Sequence, residues 1–511
     1  MAGHSLHRQK LLHNLTSFFC RLKTTPLPLS SSFCSSDSNS TPSSLDPTKK
    51  PDPLDPKQND LVEHAINLAN SKELFKHLSD SKLLKSSATL HIASKDGMVN
   101  IGSKVINSRL MKNPVSKKIV LDTIKRTFYD HFCGGEDLKK ANVTVEELWK
   151  IGLKAMLDYG LEHAVDNESC DRNLEEFLGT IEASKTQSIS FVVVKITAIC
   201  PTSLLTRLSH LLRWEHKDKS LHLPWKFNTF PIFSDLSPLY HTTNTPEPLT
   251  IDEERDLYLA YQRLGKICEK SLNANVPLLI DAEDTTIQPA IDYFSYSAAI
   301  KYRTKDKSPL IFNTIQAYLK DAKERLVMAK KAADEMGVAL GFKLVRGAYM
   351  VKERDLAASL GAESPIHDTI EDTHACYDGC ASFMLEEVAK GSGHVVLATH
   401  NIQSGKRAAK KAMDLGIKKD NQNLHFAQLY GMAEVLSFGL KNEGFKVSKY
   451  LPFGPIEQIM PYLLRRAEEN RGLLSTSAID NELMRKEILR RFKERVSLMK
   501  KSETSGSNLI L

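Results

Sequence analysis

KVSKYLPFGPIEQIMPYLLRRAEENRG, residues 446–472, reads as one complete strand–turn–helix unit. A short apolar-alternating run (446–451) ends at Pro452, Phe453, Gly454 and Pro455, and an amphipathic pattern follows with Arg465, Arg466 and Glu469 in its last turns. Pro455 stands where a helix accepts proline, at its start, and Gly472 where a helix accepts glycine, at its end. Pro461 falls inside the span and predicts a kink or a restart. Two adjacent guanidiniums suit a planar carboxylate, because each presents a rigid fork of donors. The plainer reading makes them solvated helix charges balanced by Glu469.

The same alternation recurs upstream. Short apolar runs at 153–157, 189–196, 276–281, 310–315, 339–345, 394–399 and 424–429 are each followed by a helical stretch. Runs such as FVVV, PLLI and HVVL are apolar throughout, as expected of strands buried on both faces. With 446–451 they make eight parallel βα units, which predicts an α/β fold built as a closed (βα)8 TIM-like barrel over residues 151–477. Residues 60–150 read as an N-terminal helical region, in which Thr144 with Glu147 resembles a capping box and predicts a helix start. An insertion at 200–275 interrupts the second unit, and 478–511 reads as a C-terminal helix and tail.

The leader reads differently from the rest. Residues 1–36 hold Arg8, Lys10, Arg21 and Lys23 and no acid, with Leu11, Leu12, Leu15, Phe18, Phe19 and Leu22 near helical spacing and a serine-rich tract from Ser30. This is the composition of an organelle transit peptide, mitochondrial first and chloroplast second. A Pro/Asp/Lys linker without apolar pattern follows at 37–59. The leader takes four of the formal +7 charges, and the remainder is too weak and too dispersed to suggest nucleic acid. No apolar run approaches the roughly 20 residues that span a bilayer. The eight cysteines lack regular spacing and read as free thiols; His374, Cys376 and Cys380 fit no common metal site, so no metal is expected.

Chemistry in such barrels sits at the carboxyl ends of the strands. There the sequence places Lys195, Asp281 with Glu283, Gln316, Arg346-Gly347-Ala348-Tyr349, His400-Asn401, Gln428 and Tyr450. Each has a structural explanation alone; together they line a mouth far more polar than packing requires. No G-x-G-x-x-G follows any strand, so a dinucleotide-binding βαβ unit is not expected. Lys195 at a strand end leaves a Schiff-base aldolase as one alternative.

Three motifs, KLVRGAYMVKERDLA (343–357), LATHN (397–401) and YLPFGPIEQIMPYLLRRAEENRG (450–472), resemble the proline dehydrogenase family, with support from LIDAED (279–284) and FAQLYGM (426–432). The resemblance spans about 152–477 and implies a distorted (βα)8 barrel that binds FAD and oxidises L-proline to Δ1-pyrroline-5-carboxylate. It implies electron transfer to membrane quinone, a peripheral contact with the inner mitochondrial membrane, and a place on its matrix side. By the same resemblance, Arg465 and Arg466 clamp the substrate carboxylate, and Tyr450, held by Asp281, shelves the ring. Glu469 and Lys195 are implied as an ion pair orienting the clamp. The flavin set is Gln316, Lys343, Val345, Gly347, Ala348, Tyr349, His400, Asn401 and Gln428, with Thr369 and Glu469 as further candidates. Some family members carry arginine at the position of Lys343, so the fork of donors is lost here while the charge is kept. Hydroxyproline oxidation is the nearest alternative within the class.

Overall fold

In a computed structural model of the chain the described residues are 65–93, 108, 112–236, 245–304, 308–472 and 474–506, with side chains described except at 93, 467–476 and 499–506. The leader and linker expected at 1–59 lie outside them. Eight strands close into a barrel in sequence order, each parallel to its neighbours. They are β1 (Lys154–Tyr159), β2 (Ile189–Val194), β3 (Leu278–Ile280) and β4 (Ile311–Gln316). The circle is completed by β5 (Gly341–Val345), β6 (Val395–Ala398), β7 (Leu424–Leu429) and β8 (Val447–Phe453). Every residue of β2 and β4 is buried, because the lumen covers one face and the outer helices the other.

The lumen is filled, not hollow. Met156, Phe191, Val193, Leu279, Phe312, Val396 and Ala427 form one apolar plug, with Ala398 and Tyr450 packed on it. Side chains alternate across a strand, so two residues further along, the same inward face presents Asp158, Lys195 and Asp281. A polar layer therefore sits on the plug at the carboxyl end of the barrel.

β8 runs two residues beyond the expected run, through Pro452 to Phe453. Its ladder with β7 stops at Tyr450, whereas its ladder with β1 continues to Phe453, and this is where a residue without an N–H is tolerated. The Gly134–Gly135 turn closes that rim: Gly134 N–H donates to Pro452 at 2.8 Å and Gly454 N–H to Gly135 at 2.9 Å. The helix then runs over Ile456–Gly472 with Pro461 inside it, so the expected restart does not occur. Upstream, a helix over Pro114–Ile124 continues through a π-turn (Lys125–Tyr129) and packs Leu121, Tyr129 and Phe132 against Ile456, Ile459, Met460 and Tyr462.

The helix expected to start at Thr144 starts earlier, at Leu138, because the Asp137 carboxylate accepts the Lys140 N–H at 2.8 Å. Thr144 lies inside it and donates to the Gly134 carbonyl at 2.7 Å. The segment at 200–275 supplies helices Thr202–Lys217 and Ile251–Ala274. From the first, Arg213 donates to the Thr285 carbonyl, bracing the loop that follows β3.

The C-terminal helix, Leu474–Gly506, crosses back over the N-terminal helices, where Arg491 donates to the Phe75 and Leu78 carbonyls, both at 2.8 Å. It also caps another helix. Helix Glu434–Asn442 begins after Ala433, which has φ +51° and no side chain able to cap. Asp480 instead accepts the N–H groups of Glu434 and Val435, both at 3.0 Å. Asp480→Ala is expected to cost about 1–2 kcal/mol, the range of a lost N-cap. Urea unfolding should show a lower midpoint with an unchanged slope.

Candidate active site

At the top of the lumen four side chains from four strand ends meet. The Asp281 carboxylate pairs with Lys343 through one oxygen; its other oxygen accepts from the Tyr450 hydroxyl at 2.7 Å and lies 3.3 Å from the Lys195 ammonium. Lys195 also reaches Asp158 at 2.8 Å and the Tyr450 oxygen at 3.0 Å. Two ammoniums thus face two carboxylates in a buried layer. Burial alone would push Asp281 up, but Lys343 and Lys195 hold it below the usual carboxylate range. Burial likewise opposes charge on Lys195, yet Asp158 and Asp281 hold its pKa above the ordinary lysine value. An ammonium held by two carboxylates is a poor nucleophile, which weighs against the Schiff-base alternative. The ammoniums of Lys195 and Lys343 stand 5.8 and 5.4 Å from the Tyr450 ring centre, fixing its plane.

The expected pairing of Lys195 with Glu469 lies outside the described residues, which do not include the Glu469 side chain. Arg465 has a different carboxylate. Its two terminal nitrogens donate to the two oxygens of Glu162 at 3.1 and 2.6 Å, a bidentate fork. Burial works against the charge of Glu162, but Lys195 and Arg465 outweigh it and keep the group ionised. The Arg465 guanidinium lies 6.0 Å from the Tyr349 ring centre. Arg466 is buried, 4.8 Å from the Tyr462 ring centre.

The remaining residues form an arc across β4 to β7. Gln316 ends β4 and donates to the Glu283 carbonyl at 2.8 Å. Lys343 and Val345 share the inward face of β5 with the polar layer. Gly347, at φ +142°, and Ala348 expose backbone at the mouth, and a side chain at Gly347 would strike the Tyr318 ring at 2.5 Å. His400 is driven down to about 3 by burial, with Lys449, Arg466 and Arg346 nearby. Its neutral ring accepts the Leu429 N–H at Nε2, 3.1 Å, which leaves the proton on Nδ1. Asn401 caps helix Ile402–Asp414 through the Ser404 N–H at 2.9 Å.

Two expected residues point elsewhere. Gln428 alternates with lumen-facing Ala427, so its amide faces outward and is engaged by Thr399 and Ser437. Thr369 is exposed at the start of helix Ile370–Ala389, and its hydroxyl is engaged by Asp372 at 2.6 Å.

Two side chains join the site beyond the expected set, Asp158 and Glu162, and two that the sequence placed at the mouth without a role, Arg346 and Glu283, acquire defined surroundings. Arg346 donates to His374 Nδ1, Thr399 and Ser404 at 2.9, 2.7 and 2.8 Å and lies 4.5 Å from the Tyr377 ring centre. All these partners are neutral, and among the described residues no carboxylate stands within ion-pair distance, so the arrangement leaves a positive charge for an anionic ligand group. Glu283 is fully buried. Thr197 donates to one of its oxygens at 2.6 Å, and the other has no partner among the described residues. Burial raises its pKa to about 7.

Comparison with known proteins places this geometry. A family model described as proline dehydrogenase matches residues 141–478. Proline dehydrogenase 2, mitochondrial, of Arabidopsis thaliana is 54% identical over 431 residues, covering 83% of this chain and 90% of the relative. Hydroxyproline dehydrogenase of Bos taurus is 32% identical over 384 residues, covering 72% and 81%. The structure of proline utilization A from Bdellovibrio bacteriovorus shares the fold with a TM-score of 0.58 at 18% identity, over 84% of this chain and 44% of that one.

The buried Glu283 makes stability depend on pH. Its folded-state pKa is raised, so the folded protein binds the proton more tightly than the unfolded chain. Its contribution is therefore lost as pH rises from about 4.5 to 7 and is constant above. Glu283→Gln keeps an acceptor for Thr197 and cannot ionise. Denaturation across pH 4–9 should show the variant gaining on the wild type through that window, by on the order of 2–3 kcal/mol.

Proposed function

The chain belongs to the proline dehydrogenase family, and we propose that it oxidises L-proline to Δ1-pyrroline-5-carboxylate with FAD bound at the mouth of the barrel. One observation carries the assignment of the substrate-binding end. Arg465 already grips a carboxylate bidentately, that of Glu162, directly beside the layer formed by Asp281, Lys343, Lys195 and Tyr450. A substrate carboxylate takes the place of Glu162 on Arg465 and adds Arg466, a fork–fork contact that fixes both position and plane. Tyr450, held by Asp281 and flanked by two ammoniums, then offers a fixed face to the ring.

The residues present fit the cofactor. Gln316, Lys343, Val345, Gly347, Ala348, Tyr349, His400 and Asn401 would hold it. Arg346, a cation with only neutral partners, suits the negative charge of its diphosphate. Gln428 supports the rim through Thr399, and Thr369 stands at its edge. Bound flavin supplies the hydride acceptor for the carbon next to nitrogen. The protein's share is orientation and electrostatics. The two arginines keep the substrate from turning, and Lys343 places positive charge where reduction deposits negative charge. The amine must shed its proton before its lone pair can form the C=N bond, so turnover should rise toward alkaline pH.

Electrons leaving the site would pass to a membrane quinone from a peripheral position on the matrix face of the inner mitochondrial membrane. The mitochondrial relatives and the leader composition support the compartment. Among the described residues no helix is long and apolar enough to cross a membrane.

Anaerobic addition of L-proline to the purified protein should bleach a flavin spectrum. A colourless protein, or faster bleaching by 4-hydroxyproline, would reject the assignment. Arg465→Met and Arg466→Met should each raise KM for proline by roughly 30-fold or more, the cost of breaking a buried charge pair. The FAD content of both variants should stay that of the wild type.

A further inference from the structure

The carboxyl end of the barrel bears exposed apolar side chains on two sides of the mouth. Beside β8, helix Pro114–Ile124 turns Leu121 onto Ile456, Ile459 and Met460, the start of the helix that carries Arg465 and Arg466. Its other face is shared by Val115, Lys118, Ile119 and Asp122. Val115 is 70% exposed and Ile119 62%. After β5, Gly347 and Ala348 lead through Tyr349 into helix Met350–Ser359, whose first two residues, Met350 and Val351, are 47% and 69% exposed. Tyr349 links the two sides, its ring centre 6.0 Å from the Arg465 guanidinium. Cations stand among these residues. Between 112 and 126 lie Lys112, Lys117, Lys118, Lys125 and Arg126 against a single acid, Asp122. Lys117 pairs with Glu457 at 3.0 Å and Lys125 with Glu136. Lys112, Lys118 and Arg126 are exposed and have no ion-pair partner among the described residues.

We propose that this end of the barrel rests on an anionic lipid bilayer through Val115, Ile119, Met350 and Val351, with Lys112 and Lys118 on the lipid phosphates. Apolar side chains on a surface helix gain by leaving water for the acyl boundary, and ammoniums without protein partners gain by meeting anionic headgroups. Lipid contact itself needs no flavin; only its consequence rests on the proposed function. With flavin at the mouth, a quinone dissolved in the bilayer meets it without crossing water.

The C-terminal helix also exposes apolar residues, Leu489, Phe492 and Leu498, among basic ones, but at the wrong end. Asp480 meets helix Glu434–Asn442 at its start, near the mouth, whereas Arg491 reaches Phe75 and Leu78. Those residues lie by the far end of the same helix, where Asn442 donates to the Glu73 carbonyl at 3.4 Å. The C-terminal helix therefore descends the wall away from the mouth. Its cations are also largely spent within the fold: Lys486 pairs with Glu482, Arg490 with Glu487 and Glu494, and Arg491 and Arg495 with Asp80.

The test is flotation of the full chain with vesicles of phosphatidylcholine alone or mixed with phosphatidylglycerol. Wild type should float with the mixed vesicles and be released as salt is raised. Lys112→Gln and Lys118→Gln should each weaken binding about fivefold, and Val115→Ser combined with Ile119→Ser about tenfold or more. Leu489→Ser combined with Phe492→Ser should bind as wild type does. Wild type that stays in the soluble fraction, self-associates instead of floating, or floats equally with both vesicles would overturn the surface. So would undiminished binding by the Val115/Ile119 variant, or a loss confined to the Leu489/Phe492 variant. With quinone dissolved in the vesicles, the Val115/Ile119 variant should turn over more slowly by a similar factor, yet match wild type with a water-soluble dye as acceptor. Equal rates with the dissolved quinone would overturn the placement of the mouth on the bilayer. A colourless protein that still floats rejects the flavin and supports the lipid surface; a yellow protein bleached by proline that does not float rejects the surface alone.

Discussion

The Asp281 carboxylate is shared by Lys343, Lys195 and Tyr450, and the mouth of the barrel is arranged around that sharing. An isolated charge in this position would cost several kcal/mol of hydration. Two carboxylates set against two ammoniums make the layer neutral as a whole, and the Tyr450 hydroxyl takes up a remaining oxygen. The groups come from the ends of β1, β2, β3, β5 and β8, so the layer also ties together strands distant in sequence. Removing any one partner would leave another buried and uncompensated, which is why the set is rigid without being a packing core.

Above this layer the cations are held less completely. Arg465 pairs with Glu162, and among the described residues Arg346 has neutral partners only. The barrel therefore grades from a layer in which two ammoniums face two carboxylates to a rim on which Arg465 pairs with Glu162 and Arg346 rests on neutral groups. The neutral layer is structural first: it fixes the Tyr450 ring and the Lys343 ammonium. The surrounding elements brace this gradient from outside. Arg213 braces the loop after β3, the Gly134–Gly135 turn braces the end of β8, and Asp480 caps the helix that follows β7.

The barrel was legible because its strands are buried on both faces and so read as apolar runs, and because seven of the eight have a polar residue at or just past the end. All eight runs became strands, with no end moved by more than two residues. Charge partners were less legible. A sequence shows that Lys195 exists but not which carboxylates the fold brings to its ammonium, and Asp158 fell just past a run read as ending at Leu157. Glu162 lies in an unpatterned loop. Only its position a few residues beyond a strand end could have drawn attention to it. Gln428 shows the opposite error: it has the right residue type at a strand end but the wrong parity, since its neighbour Ala427 is the one facing the lumen. The Thr144 capping pattern failed because Asp137 offered a cap seven residues earlier.

Lysine at position 343 is the point at which parity and charge combine to set the chemistry. It faces inward on β5, and its ammonium is bound to Asp281 rather than left pointing at the mouth. A guanidinium there could keep one edge on Asp281 and offer the other to a ligand, whereas an ammonium is a single compact charge. Positive charge is thus supplied to the site, but its field is partly cancelled by the carboxylate that positions it. The same carboxylate accepts from Tyr450, so charge on Lys343 and the tilt of the aromatic shelf are not independent variables. Changing the cation at 343 alters the carboxylate on which the Tyr450 hydroxyl also rests, so the two positions are coupled through Asp281.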